Sequence, residues 1–267
     1  MANWVSVFSC ALAVPALFAQ ESLVLDQLQE RARQALDAIP RAHSKAEADA
    51  ARPRLRQQLE SALGLRRMPW PPRVKAQRAG VLQRPGYRIE KLTWESLPGV
   101  RVPAHLYVPE PLSGRAPAIL FYNGHWYPDS KTRPDFQAFC INMARQGFVV
   151  LTWDPFGQGE RGISNRDHRR TELLLAGVAQ QGIAEHETQG ALNYLLSRPE
   201  VDPERVGMTG ASGGGYNTWI SAALDDSLIE QARRADAYSV LSKPVAFRDL
   251  TDLVNLAFRE VYNWPNR

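Results

Sequence analysis

The chain has 267 residues, 44% of them hydrophobic and 22% charged, with a formal net charge of +4. That is enough for one sizeable domain with its own core and small additions. The 27 arginines and 5 lysines are spread along the chain, which argues against the clustered footprint of a nucleic-acid binder, and no stretch is long enough to cross a membrane and stay there.

Residues Trp4 to Phe18 are mainly apolar and lead into Ala19-Gln20. This pattern predicts a secretory signal, residues 1–19, cleaved after Ala19, and hence a secreted or periplasmic protein. The n-region lacks Lys and Arg, and a buried N-terminal helix is the alternative. With the signal removed Cys140 would be the one cysteine left, so no intrachain disulfide is expected. Residues 20–79 read as a helical lead-in and a Pro-rich linker. Leu23, Leu25, Leu28, Ala32 and Leu36 mark one amphipathic stripe. Ser44 with Glu47 suggests a capping box for a second helix, expected to be interrupted near Pro53. Met68-Pro69-Trp70-Pro71-Pro72 then reads as a stiff extended linker.

From Tyr87 the pattern changes to period two. Two strands are predicted over 87–94 and 100–108, joined through Leu97-Pro98-Gly99, with Pro103 best placed on a sheet edge. A buried strand over 117–122 opens into Asn123-Gly124-His125-Trp126. A helix over about 135–146 follows, with Cys140 on its apolar face, and then a strand over 148–153. Asp154-Pro155-Phe156-Gly157-Gln158-Gly159-Glu160-Arg161 forms the next loop, read equally well as a tight structural turn or as a substrate contact. A helix over about 183–198 precedes another strand. A hairpin followed by alternating strands and helices is an α/β sheet with parallel central strands.

The stretch Val206 to Gly215 contains G-x-S-x-G at Gly210, Ser212 and Gly214, between a predicted strand and a predicted helix starting near Tyr216. That context is the one a nucleophile elbow needs. A Gly-rich turn that binds a phosphate, or binds nothing, is the alternative.

With these motifs in view, residues of about 80–226 resemble the N-terminal half of an α/β-hydrolase, in the bacterial acetyl-xylan-esterase and prolyl-oligopeptidase-like branch. The resemblance implies a partial α/β-hydrolase sheet: an antiparallel N-terminal hairpin, then parallel strands with flanking helices. It implies Ser212 as nucleophile, with the backbone N–H groups of Gly213 and His125 as oxyanion hole. Asn123 stands where the family carries a histidine. Asn123, Gly124, Trp126, Gln158 and Glu160 are then expected to line the substrate site. The implied substrate is a small ester or acetylated carbohydrate, with no cofactor, no metal, no nucleic acid and no evident protein partner.

In this fold the triad acid and histidine follow the serine. All five histidines here, His43, His105, His125, His168 and His186, precede Ser212, and only 55 residues follow it. The triad is therefore incomplete in this chain, and weak turnover is expected. A non-catalytic truncated or chimeric remnant, or a binding module, is the alternative. Residues of about 228–262, with Lys243-Pro244, resemble the end of a response-regulator receiver domain. This predicts a strand over 238–242 and a helix over 247–261 in place of the sixth hydrolase strand. The expected plan is thus a signal over 1–19, a lead-in and linker over 20–79, a partial hydrolase domain over 80–226 and a receiver-like tail over 227–267.

Overall fold

The computed structural model describes residues 13–40, 42–69, 74–162 and 171–225, with side chains from residue 23 onward. His168, Lys243 and the whole predicted tail lie outside these residues. The chain divides into two compact units after Pro53.

In the first unit, helix α1 (Ala13–Asp37) runs without a break through Ala19. Helix α2 (Lys45–Leu63) starts at the expected cap. Ser44 Oγ accepts from the Glu47 N–H at 3.2 Å, while the Glu47 carboxylate accepts from the His43 N–H at 2.8 Å. The reciprocal bond of the box thus falls one residue early. The expected interruption at Pro53 does not occur: the proline sits inside a continuous helix, where it removes one N–H donor.

The second unit is built on six strands: β1 (Gln77–Arg84), β2 (Tyr87–Leu97), β3 (Val100–Pro109), β4 (Ala116–Tyr122), β5 (Val149–Trp153) and β6 (Val201–Gly210). Their order in the sheet is β1-β2-β3-β5-β4-β6. The pairs β1–β2, β2–β3 and β3–β5 are antiparallel, and β5–β4 and β4–β6 are parallel. This is the expected mixed sheet. Strand β1 is an addition: it begins inside the segment read as linker, and it carries little apolar alternation because most of its residues are exposed. Its ladder to β2, beginning at Arg84 opposite Tyr87, supplies what its side chains do not.

Pro103 corrects another expectation. It lies in β3, an interior strand, opposite Thr93 of β2. The ladder from β3 to β5 begins one residue later, at Ala104. No ladder donor is therefore lost at Pro103, and its carbonyl accepts the Asp154 N–H at 3.1 Å.

Every residue of β4 and β5 is buried, as expected for parallel strands covered on both faces. Helix α3 (Pro134–Arg145) covers one face, packing Phe136, Phe139, Cys140 and Met143 against Ile119, Phe121 and Val150. Cys140 is a core residue, and burial raises its thiol pKa. The other face receives α5 (Gln180–Leu196), through Ala191, Leu192 and Leu195 against Leu120, Leu151 and Val206. Each such large side chain contributes roughly 1.5–3 kcal/mol when fully buried. Helix α5 is buried continuously from Gly182 to Leu192. Over that stretch it has no solvent-facing side, and its sequence carries no clean apolar stripe. After the single turn α4 (Glu172–Leu175), it is joined in a third cluster by α6 (Gly213–Leu224), which contributes Leu224 beside Leu63, Leu65 and Ile183. Arg56 donates to the Leu224 carbonyl at the end of α6.

Candidate active site

Between β6 and α6 the chain turns at Ser212, whose φ is 57° and ψ −114°. A residue with a Cβ is strained there. The glycines around it allow the turn to press against the end of β4. A β-carbon at Gly214 would run into the Tyr122 carbonyl oxygen, and one at Gly210 would stand 2.6 Å from the same atom. The Ala211 N–H donates to that carbonyl at 3.3 Å. Helix α6 takes up its first bonds immediately, Gly214 N–H to Ala211 O at 2.8 Å and Tyr216 N–H to Ser212 O at 3.3 Å. Gly213 begins the helix, where backbone N–H groups have no intrahelical acceptor and carry the positive end of the helix dipole.

The loop after β4 meets this turn. Gly124 has φ 76°, and a β-carbon on it would lie 3.2 Å from the Gly213 nitrogen. The imidazole of His125 rests on Gly213: a β-carbon at 213 would be 2.7 Å from its Cε1 and 2.8 Å from its Nδ1. Gly124, His125, Ser212 and Gly213 thus come together at the carboxyl ends of β4 and β6. A cleft of about 310 Å³ opens beside them, lined by Gly124, His125 and Gly213 and also by Phe156, Gln181 and Tyr216.

The remaining expected substrate contacts do not line this cleft. Asn123 is fully buried, and its amide is used inside the protein. Nδ2 donates to the Trp153 carbonyl at 2.9 Å, and Oδ1 accepts from Thr152 Oγ1 at 2.9 Å. It ties β4 to β5 rather than facing a substrate. Trp126 stacks under the Arg133 guanidinium, 4.3 Å from its centroid, and edge-on to Phe136. Gln158 is buried, donating to the Gly157 carbonyl at 3.0 Å. The Glu160 carboxylate is held by Lys131, which keeps its pKa below the usual carboxylate range.

The loop from Asp154 to Arg161 is held by two ionic knots. Buried Asp154 accepts from Lys131 Nζ at 2.6 Å and from the Glu160 N–H at 3.0 Å. Arg161 makes a two-pronged bond to buried Glu187 of α5, at 2.8 and 2.7 Å, and donates to the Asp154 carbonyl at 2.9 Å. These bonds hold the loop as a tight turn, while Phe156 of the same loop lines the cleft. Lys131 carried no signal in the sequence, since it sits in a short turn between a strand and a helix.

A buried polar seam joins α5 to α6. Ser221 Oγ donates to Glu185 at 2.8 Å, Gln181 donates to Glu185 at 3.2 Å and to Asn217, and Asn217 donates to Thr188 Oγ1 at 2.8 Å. Burial pushes the Glu185 carboxyl up to about 8. Gln181 is the member of this seam that reaches the cleft. Of the other histidines in this unit, His186 is buried with its ring against the Pro69 carbonyl at 2.9 Å. His105 lies on β3, away from this cleft.

Residues 79–264 match the sequence model of the acetyl xylan esterase (AXE1) family. The chain belongs to this family. The matched span is longer than the 80–226 segment and also takes in residues 228–262, the part that resembles a receiver domain. The hydrolase candidate YtaP of Bacillus subtilis (strain 168) is 32% identical over 137 residues, covering 48% of this chain and 46% of that protein. The methylesterase BT1017 is 27% identical with a TM-score of 0.62, over 70% of this chain and 41% of the other. A candidate acetyl xylan esterase from Bacteroides fragilis NCTC 9343 has the same TM-score of 0.62 at 21% identity, over 79% of this chain and 63% of the other, a likeness of fold. The chain spans less than half the length of YtaP and of the methylesterase. Its sheet and flanking helices are of the α/β-hydrolase type. Among the described residues no helix is long and apolar enough to cross a membrane.

Proposed function

We propose that this member of the acetyl xylan esterase family hydrolyses carboxylic esters through Ser212, with acetyl esters, including those of carbohydrates, as its substrate class. The observation that carries this reading is the conformation of Ser212: a non-glycine residue at φ 57°, on the turn between strand and helix, beside the first N–H of α6. Strain of this kind persists where the surrounding structure imposes it, and it clusters at reactive positions.

In this mechanism Ser212 Oγ attacks the ester carbonyl and the alcohol leaves. Water then releases the acyl group. The oxyanion of each tetrahedral intermediate lies between the N–H groups of Gly213 and His125, where donors fixed before the reaction cost no reorganisation. No metal or cofactor is called for. The serine hydroxyl needs a base to become reactive, and no histidine follows Ser212 in this sequence. Among the described residues His125 is the histidine that lines the cleft, so turnover by this chain is expected to be slow. Oxyanion donors and binding alone can leave about 10³- to 10⁴-fold catalysis over water.

The test is p-nitrophenyl acetate hydrolysis by the purified chain, compared with Ser212→Ala and His125→Ala. Slow turnover that vanishes in Ser212→Ala supports the reading, and equal turnover in Ser212→Ala overturns it. Loss of turnover in His125→Ala assigns the role of base to the imidazole, whereas retention leaves His125 contributing through its backbone alone.

A further inference from the structure

A larger groove, about 590 Å³, lies on the β2–β3 side of the sheet and shares Phe156 with the cleft lined by His125 and Gly213. Lys91 of β2 and His105 of β3 are directly opposite in the antiparallel ladder, which brings their side chains together on one face. Arg101 lies further along the same face of β3 and also lines the groove. The other cations facing it are matched: Lys131 by Asp154 and Glu160, and Arg161 by Glu187. Lys91 and Arg101 have no ion-pair partner among the described residues. Glu95 stands opposite Arg101 in the ladder without pairing to it.

The His105 ring is neutral near pH 7: burial and then the Lys131 ammonium lower its pKa to about 4. Its Nδ1 is shielded from solvent with no hydrogen-bond partner among the described residues. An unmatched buried N–H is rarer than an unmatched acceptor, so the proton belongs on Nε2, which makes the ring a hydrogen-bond donor. Two cations without an ion pair, a neutral donor and the apolar face of Phe156 suit a ring-sized ligand that carries one negative group, and the Glu160 carboxylate, which also lines the groove, is already held by Lys131.

We propose that this groove binds a carboxylate borne by the ester substrate, held between Lys91 and His105, while the ester itself reaches past Phe156 to Ser212. The proposal rests on the esterase reading, and binding can be measured apart from hydrolysis. The full chain carrying Ser212→Ala is titrated by calorimetry with methyl β-glucuronide, methyl β-glucoside and sodium acetate. The glucuronide should bind at least about tenfold more tightly than the glucoside, in a salt-sensitive manner, and should raise the His105 pKa read by NMR. Lys91→Ala with Arg101→Ala should remove that preference and leave the circular dichroism spectrum unchanged, since both side chains are exposed.

Equal binding of the two glycosides, no binding of either, or a preference that survives the double substitution overturns the proposal. So does acetate that displaces the glucuronide mole for mole, because the groove would then be a site for free anions. A charge preference without Ser212-dependent turnover in the unsubstituted chain keeps the groove and removes the esterase reading. Turnover without the preference does the reverse.

Discussion

The imidazole of His125 lies directly on the α-carbon of Gly213, so that any side chain at 213 would occupy the place of the ring. The obstacle at 213 is the end of a side chain. At Gly214 it is the backbone carbonyl of Tyr122.

The two positions should therefore answer differently to alanine. Gly213→Ala can be accommodated if the imidazole swings away, and it should cost about 1 kcal/mol while changing the His125 ring signals in NMR. Gly214→Ala must push β4 and α6 apart and should cost about 3 kcal/mol. Urea unfolding of both variants checks the order, and equal losses would mean that the turn is looser than it stands here.

Arg161→Ala should be among the more damaging changes in the β5 loop. It leaves the Glu187 carboxylate fully buried without its two-pronged partner, and breaking a buried pair from one side typically costs about 3–5 kcal/mol. Arg161→Met combined with Glu187→Leu should lose less than Arg161→Ala alone. Denaturant midpoints for the single and double variants decide the matter.

Glu185 gives a pH dependence whose sign can be stated. Its carboxyl pKa in the fold is raised to about 8, above the value of about 4.3 for a free glutamate. The folded chain then holds the proton more tightly than the unfolded one. Glu185 costs no stability below about pH 4, costs progressively more as pH rises toward 8, and costs a constant amount above that. Glu185→Gln should remove this dependence and be the more stable protein at pH 9, by roughly 2 kcal/mol or more. Stability curves of the two proteins from pH 5 to 9 should converge at the acid end.

We also propose that the N-terminal segment directs export, on the strength of its apolar run and the small residue at Ala19. Expression in a bacterium with a working secretion pathway should give a product that begins at Gln20. Mass spectrometry of the exported chain checks this, and an intact Met1 or Ala2 on it would overturn the proposal.

Strands β2 to β5 were legible because their apolar residues sit in runs or alternate, and the Ser212 turn because glycines bracket it on both sides. What escaped the sequence has physical reasons. Strand β1 is an exposed edge and carries little hydrophobic signal. Helix α5 is buried from Gly182 to Leu192 and has no apolar stripe to betray its first turn. A proline belongs on an edge where a strand is hydrogen-bonded on both sides along its whole length, whereas the β5 ladder begins just past Pro103. In the site, backbone proximity was readable and side-chain direction was not. Asn123 and Trp126 flank Gly124 and His125 in sequence, yet one turns inward to Thr152 and the other lies under Arg133. The Lys131–Asp154 pair joins residues from two separate loops and left no trace in either.

The backbone at Ser212 also sets a conflict between durability and reactivity. A φ of 57° with a ψ of −114° is a conformation that glycine adopts without penalty, whereas serine pays on the order of 1–3 kcal/mol. A chain selected for robustness alone would carry glycine at 212 and tolerate more heat. By holding a serine rather than a glycine at this turn, the fold gives up part of its thermal margin to present a hydroxyl beside the first N–H of α6.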